Sequence, residues 1–143
     1  MTDQPGLDPA ALRALRATPH NQDQITTRIA DHLETQDGYL ALSGGKDSFV
    51  VLDLARQVDP HLPVVYFDSG LEYPETYAYL DHLRHIWRLN LTVIDASTPL
   101  LTILITNGSW DHRAAEYRTP DLHQVLIADP ARQAHTLHGP GEL

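Results

Sequence analysis

The sequence predicts an α/β fold, a parallel sheet flanked by helices and preceded by N-terminal helices. Three observations carry that prediction. The short apolar runs "YLAL", "VVYFD" and "LTVID" have the length and composition of buried strands. Longer segments with helical periodicity alternate with them. The connections between the two are short, as packed βα units require.

Taken in order, the first six residues read as a disordered tail. "LDPAALRALRATP" predicts a short helix, with Asp8 as N-cap and Pro9 at the first helical position. A second helix is expected from about Asn21 to Gln36, with Ile25, Ile29 and Leu33 on one face and Gly38 closing it. Residues 1–37 thus form an N-terminal region, and residues 38–143 one α/β domain. "YLAL" is the first strand. "DSFVVLDLARQV" follows as a helix with Phe49, Leu52 and Val58 among its apolar positions. "PHLP" punctuates, and "VVYFD" is the second strand. "EYPETYAYLDHLRHIWRLN" is a long helix whose apolar face runs from Tyr73 to Trp87, and "LTVID" is the third strand.

Beyond Ala96 the pattern is less distinct. "STPLLTILITNGSW" fits a helix begun at Thr98-Pro99 and ended at Asn107-Gly108, although its β-branched content also suits a strand. "TPDLHQVLIADPARQAHTL" has helical signals that Pro130 should break or kink. "HGPGEL" reads as a closing loop, placed where such a fold often adds another strand. The C-terminal part of the domain is therefore expected to be incomplete, as in a truncated chain.

Composition bounds the function. The chain has 143 residues, 42% of them hydrophobic, enough for one packed core. Its 19 acidic and 10 basic residues give a net charge of −9, which argues against coating a nucleic acid. No apolar run approaches the about 18 residues that span a bilayer, and "MTDQPGLDPA" lacks the pattern of a secretory signal. A cytoplasmic protein without a membrane partner is expected. The chain contains no cysteine, which removes thiolate metal sites, cysteine-held iron–sulfur clusters and cysteine nucleophiles from its chemistry.

The segment "YLALSGGKDSFVVL" carries the candidate site. Ligands of open parallel sheets bind at the carboxyl ends of strands, and "SGGKDS" occupies such a junction. Gly44 and Gly45 let the main chain approach a ligand closely. Successive backbone N–H groups and the following helix N-terminus suit an anion. Ser43 and Ser48 add hydroxyls, and Lys46, the single lysine of the chain, adds a positive charge. Asp47 is the candidate ligand for a magnesium ion bridging phosphate oxygens. A Gly-Gly pair alone more often marks a tight turn before a capped helix, and it is the six-residue string between strand and helix that points to a ligand. The pattern GxxxxGK[ST] is not met, since Asp47 follows Lys46, and GxGxxG is absent.

The string Ser43-Gly44-Gly45-Lys46-Asp47-Ser48 resembles the SGGxDS loop of the ATP pyrophosphatase, or PP-loop, superfamily of adenine nucleotide α-hydrolases. "LPVVYFDSGLEYPETYAYLDHL" is similar to the phosphoadenylylsulfate (PAPS) reductase branch, in which the second strand ends in Asp-Thr-Gly and a Pro-Glu-Thr triplet opens the next helix. Asp68 and Gly70 match, Ser69 replaces the threonine, and Pro74, Glu75 and Thr76 match the triplet. Together the motifs cover about residues 36 to 95. The resemblance implies an adenine nucleotide α-hydrolase-like (HUP-type) fold that binds ATP or a related adenine nucleotide, a small-molecule ligand. Phosphates would lie in Ser43–Ser48, and Asp68, Ser69 and Gly70 near base and ribose. It also implies magnesium-assisted chemistry at the α-phosphate, with Lys46 and Asp47 as the catalytic candidates.

Members of the reductase branch attack sulfur with a cysteine, and some relatives hold an iron–sulfur cluster. This sequence has the residues for neither. The alternatives are an adenylyltransferase like the small subunit of ATP sulfurylase, and a non-catalytic nucleotide sensor or partner-binding module. A homo-oligomer or a partner protein is compatible with either. Other polar groups read as surface features. His82 and His85 are spaced i, i+3 on the long helix without a comparable third ligand, and His135 and His138 get the same reading. "NGSWDHRAAEYR" is expected to be a loop with a packed Trp110 and solvated charges, Arg113 and Arg118 being its candidate anion ligands.

Overall fold

The computed structural model describes residues 22–106 and 121–143. The helix expected over 7–19, the stop at Asn107-Gly108 and the segment "NGSWDHRAAEYR" lie outside the described residues. Helix α1 (Gln22–Thr35) leads into β1 (Gly38–Leu42), α2 (Lys46–Val58), β2 (Pro63–Asp68), α3 (Pro74–Trp87) and β3 (Asn90–Asp95). Helix α4 (Leu100–Thr106) follows. After the undescribed residues come a π-helical turn (Gln124–Ala128), α5 (Asp129–His138) and the short β4 (Gly141–Glu142).

The strands form one parallel sheet in the order β3-β2-β1-β4. Alternation along each strand divides its side chains between two cores. On one face Leu40, Leu42, Val64 and Tyr66 pack with Leu52 and Ala55 of α2, Leu80 and Leu83 of α3, and Ile29 of α1. On the other, Tyr39, Val65 and Ile94 pack with Ala134 of α5. Between the two outer helices, Phe49 meets Tyr79 edge to face at 5.0 Å. The Arg56 guanidinium stacks over Trp87 at 4.3 Å. The sheet covered on both faces is the architecture the alternating pattern predicts.

Three local expectations are corrected. Gly38 does not close α1; it opens β1. A Cβ there would stand 1.8 Å from the Gly141 carbonyl oxygen, so glycine serves the close approach of two strands. "HGPGEL" is not only a loop, since Gly141 and Glu142 pair in parallel with Gly38 and Tyr39. The composition Gly-Pro-Gly hides that strand because its pairing rests on backbone groups alone. Pro130, expected to break or kink the C-terminal helix, does not break it. It is buried near the start of α5, and the π-helical turn just before it widens the coil where the proline offers no N–H.

The region beyond Ala96 resolves as helix over Leu100–Thr106, with Pro99 accepting the Ile103 N–H at 3.2 Å. Asp129 braces this side of the fold. Its carboxylate accepts hydrogen bonds from Ser97 Oγ at 3.0 Å and Gln124 Nε2 at 2.6 Å, and pairs with Arg132. Those partners, Gln124 first and then Ser97, hold its pKa below the usual carboxylate value.

The Gly38 contact gives a test. Gly38→Ala should destabilise the chain by about 1–3 kcal/mol, as overpacking against fixed backbone does. Urea unfolding should show the midpoint lowered, and an unchanged midpoint would mean that β4 does not press on β1.

Candidate functional site

The carboxyl ends of β1, β2 and β3 open onto one edge of the sheet, and the sequence-predicted residues gather there. β1 ends at Leu42, opposite Tyr66, while β2 continues to Asp68, opposite Asp95 of β3. The chain leaving β1 therefore turns off beside Tyr66. Gly44 makes that turn in the left-handed region, at φ +78°, where glycine is free of the Cβ penalty. A Cβ on Gly44 would lie 3.6 Å from the Tyr66 ring and 4.0 Å from the Thr76 methyl. The glycine loop thus rests on a β2 tyrosine and on the threonine of Pro74-Glu75-Thr76, which joins the two sequence motifs in space.

Gly45 is the N-cap of α2 in ordinary extended geometry, φ −82° and ψ 157°, and no side chain caps the helix. A Cβ there would meet only Ser43 Oγ, at 3.5 Å. The two serines of the loop bond to its own backbone: Ser48 Oγ donates to the Gly45 carbonyl at 2.8 Å, and the Gly45 N–H donates to Ser43 Oγ at 3.3 Å. Lys46 and Asp47 project into solvent, 91% and 89% exposed, and pair with each other at 3.2 Å. Such an exposed pair contributes little to stability. The α2 N-terminus consequently presents uncapped N–H groups, a partial positive charge and an exposed lysine at the sheet edge.

Asp68, Ser69 and Gly70 form the second loop. Asp68 Oδ1 accepts from the Gly70 N–H at 2.7 Å and from Tyr77 Oη at 2.8 Å. Ser69 Oγ donates to Glu72 at 2.9 Å and accepts from the Leu71 N–H at 3.2 Å. The loop is tied to the exit of β3, because the Ala96 N–H donates to the Asp68 carbonyl at 2.8 Å and the Leu100 N–H to that of Ser69 at 2.7 Å. Gly70, at φ +75°, has Pro99 so close that a Cβ would stand 2.9 Å from it.

Sequence reasoning passed over three residues here, Tyr66, Glu72 and Tyr77. The available signal was period: Tyr66 lies two residues before Asp68 on the same strand face, and Tyr77 directly follows the Pro-Glu-Thr triplet. Tyr66 is only 3% exposed, and its hydroxyl has no hydrogen-bond partner among the described residues. Leaving a buried hydroxyl unpaired costs about 1–3 kcal/mol. Burial, reinforced by the charges of Glu72 and Asp68, pushes its phenol up to about 12. Tyr77 is likewise pushed up to about 12, by desolvation and by its hydrogen bond to Asp68.

The histidines assemble no comparable site. His85 Nδ1 lies 3.0 Å from the Asp81 carbonyl oxygen, and His135 and His138 set their rings against Tyr39 at 5.9 and 6.3 Å. Among the described residues, no group of three His, Asp or Glu could hold a metal ion. A concavity of about 490 Å³ lies at the opposite edge, lined by Gln36, Asp37, Asp59, Leu62, Pro63 and Gly139 among others. It meets the amino ends of the strands, where helix C-termini gather and the dipoles disfavour an anion. No helix among the described residues is long and apolar enough to cross a membrane.

The comparisons with known proteins fall on the same segment. A family model described as "Phosphoadenosine phosphosulfate reductase domain" matches residues 38–134. The phosphoadenosine 5'-phosphosulfate reductase of Citrobacter koseri is 40% identical over 89 residues, 61% of this chain and 36% of that protein. The enzyme of the same name from Synechococcus is 33% identical over 98 residues, 66% of this chain and 42% of that protein. The chain thus spans well under half the length of these relatives. Among solved structures, the phosphoadenylyl-sulfate reductase from Candida auris, a phosphate complex, superposes with a TM-score of 0.54 at 13% identity. It covers 84% of this chain and 63% of that one, a likeness of fold.

The two raised phenols predict an alkaline limit. Both tyrosines bind their proton more tightly folded than unfolded, so the stability they contribute is complete below pH 10. It is lost as pH rises through about 12. Unfolding midpoints measured across that window should fall, and the fall should be shallower in a Tyr66→Phe, Tyr77→Phe double variant. Equal slopes would show that neither phenol titrates late.

Proposed function

Because the chain belongs to the phosphoadenosine phosphosulfate reductase domain family, we propose that it binds ATP or a related adenine nucleotide at Ser43–Ser48, with Asp68–Gly70 beside the nucleoside. The observation that carries this reading is Gly45. Its backbone angles are open to any residue and the space around it is free, so neither strain nor crowding requires glycine there. A ligand that must come close to the main chain at an uncapped helix N-terminus gives one.

The ligand's negative charge would be met by the α2 N–H groups and by Lys46, released from its exposed pairing with Asp47. Magnesium fits here as an ion shared with the phosphates, since Asp47 is the one carboxylate of the loop and this metal usually keeps several waters. Bound there, it would neutralise phosphate charge. Lys46 and the helix N–H groups would then stabilise charge developing at the α-phosphate when an acceptor attacks it.

A second reading, a nucleotide-binding module without chemistry of its own, is favoured by the absence of cysteine from the sequence. The thiol attack of the reductase branch has no nucleophile in this chain. One experiment separates the two readings. ATP binding, followed by calorimetry, should be lost in Gly45→Asp while the unfolding free energy stays within ~0.5 kcal/mol of wild type, as for a surface substitution. Pyrophosphate release from ATP and magnesium in the presence of sulfate or another acceptor marks an enzyme, and binding without release marks the module. A wild-type chain indifferent to ATP at millimolar concentration contradicts both.

A further inference from the structure

We propose that Tyr66 is a ligand-binding residue of this site, its buried hydroxyl donating a hydrogen bond to a phosphate oxygen held in the glycine loop. The inference rests on the nucleotide reading above and extends it to a residue that neither motif contains.

Four observations lead to it. Tyr66 is 3% exposed, yet its hydroxyl is unpartnered among the described residues. Buried hydroxyls in folded proteins are nearly always paired, so this one takes a partner that the described chain does not supply, a water or a ligand. Its position is the second observation: Tyr66 Oη lies 4.0 Å from the point where a Cβ on Gly44 would stand. Only the absence of a side chain at Gly44 leaves room between phenol and loop. Third, burial and then the charges of Glu72 and Asp68 disfavour the ionised phenol, which stays protonated and hence a donor. Those carboxylates have donors of their own in Gly70, Tyr77 and Ser69, and neither takes the Tyr66 proton.

Finally, the hydroxyl serves no packing purpose that phenylalanine would not serve. The residue belongs to the core cluster that includes Leu42, Leu52 and Leu80. A neutral donor is also what this edge of the site lacks. Asp68, Glu72 and Asp95 make it acidic, and a phenol meets an anionic oxygen without adding a charge that those carboxylates would capture.

Tyr66→Phe in the full chain tests the assignment, since it removes the oxygen and keeps the ring. Affinities for ATP and for inorganic pyrophosphate should both fall roughly tenfold, the loss expected for one hydrogen bond to a charged group. The unfolding midpoint without ligand should stay equal or rise, because an unpaired buried hydroxyl has been deleted. Wild-type affinity for both probes in the variant overturns the assignment while leaving the nucleotide reading intact. A loss confined to ATP also overturns it, placing the hydroxyl on the nucleoside. A lower midpoint with unchanged affinity marks a structural hydroxyl, a third overturning result. A wild-type chain that binds neither probe sinks the nucleotide reading and this assignment together.

Discussion

Parallel pairing of β2 with both neighbours fixes where the three loops leave the sheet. Leu42 stands opposite Tyr66 and Asp68 opposite Asp95, so β1 ends lower on the sheet than β2 and β3 do. That step makes the space the glycine loop occupies. The chain turns off above the Tyr66 ring, and the two longer strands carry Asp68 and Asp95 past it. A slip of β2 by one residue would turn Tyr66 and Asp68 to the opposite face, toward the core shared with α5. The register is held by Val64 and Val65, each fully buried on its own face, and at the top by the Ala96 and Leu100 amides on the Asp68 and Ser69 carbonyls. The hydrophobic alternation of β2 thus sets the geometry of the polar edge.

The edge is electrostatically divided. On the α2 side stand an uncapped helix N-terminus and Lys46; on the α3 side stand Asp68 and Glu72. In a chain of net charge −9, the proposed anionic ligand would have to be met mostly by backbone dipoles and neutral donors. The tyrosines would fit that need. Burial first, and then the neighbouring carboxylates, make the ionised phenols costly, so Tyr66 and Tyr77 remain donors throughout the neutral range. The same carboxylates orient the second loop through the Gly70 and Tyr77 donors. One cluster thereby both shapes the loop and helps keep its phenols protonated.

The strands, the helices between them and both loop motifs were legible in the sequence because each has a local cause: apolar runs, helical period, or a glycine string at a strand end. What was not legible depends on partners distant in the chain. Gly38 looks like a helix stop until Gly141 is seen against it. Pro130 looks like a break until the π-helical turn absorbs its missing donor. Asp129 gives no hint that Ser97 will reach it from the other side of α4. Tyr66 reads as one more strand residue, since an apolar run conceals that its hydroxyl ends under a loop encoded more than a helix earlier. Lys46 and Asp47 were named for their chemistry, and the structure leaves both in solvent, paired to one another.

The glycines show how a functional residue is separated from a structural one. Gly38 is required by a strand, Gly44 by a left-handed turn, and Gly70 by both its left-handed angle and Pro99. Each would be glycine whether or not anything bound. Gly45 has none of these reasons, and the Tyr66 hydroxyl likewise has none that the core supplies. Stability alone would favour a side chain that caps α2 at the first position and phenylalanine at the second. The two departures from what folding demands are not scattered. Gly45 is joined to Gly44, and Gly44 lies against Tyr66, so both belong to the carboxyl end of β1. On the proposed nucleotide reading, one ligand would offset both.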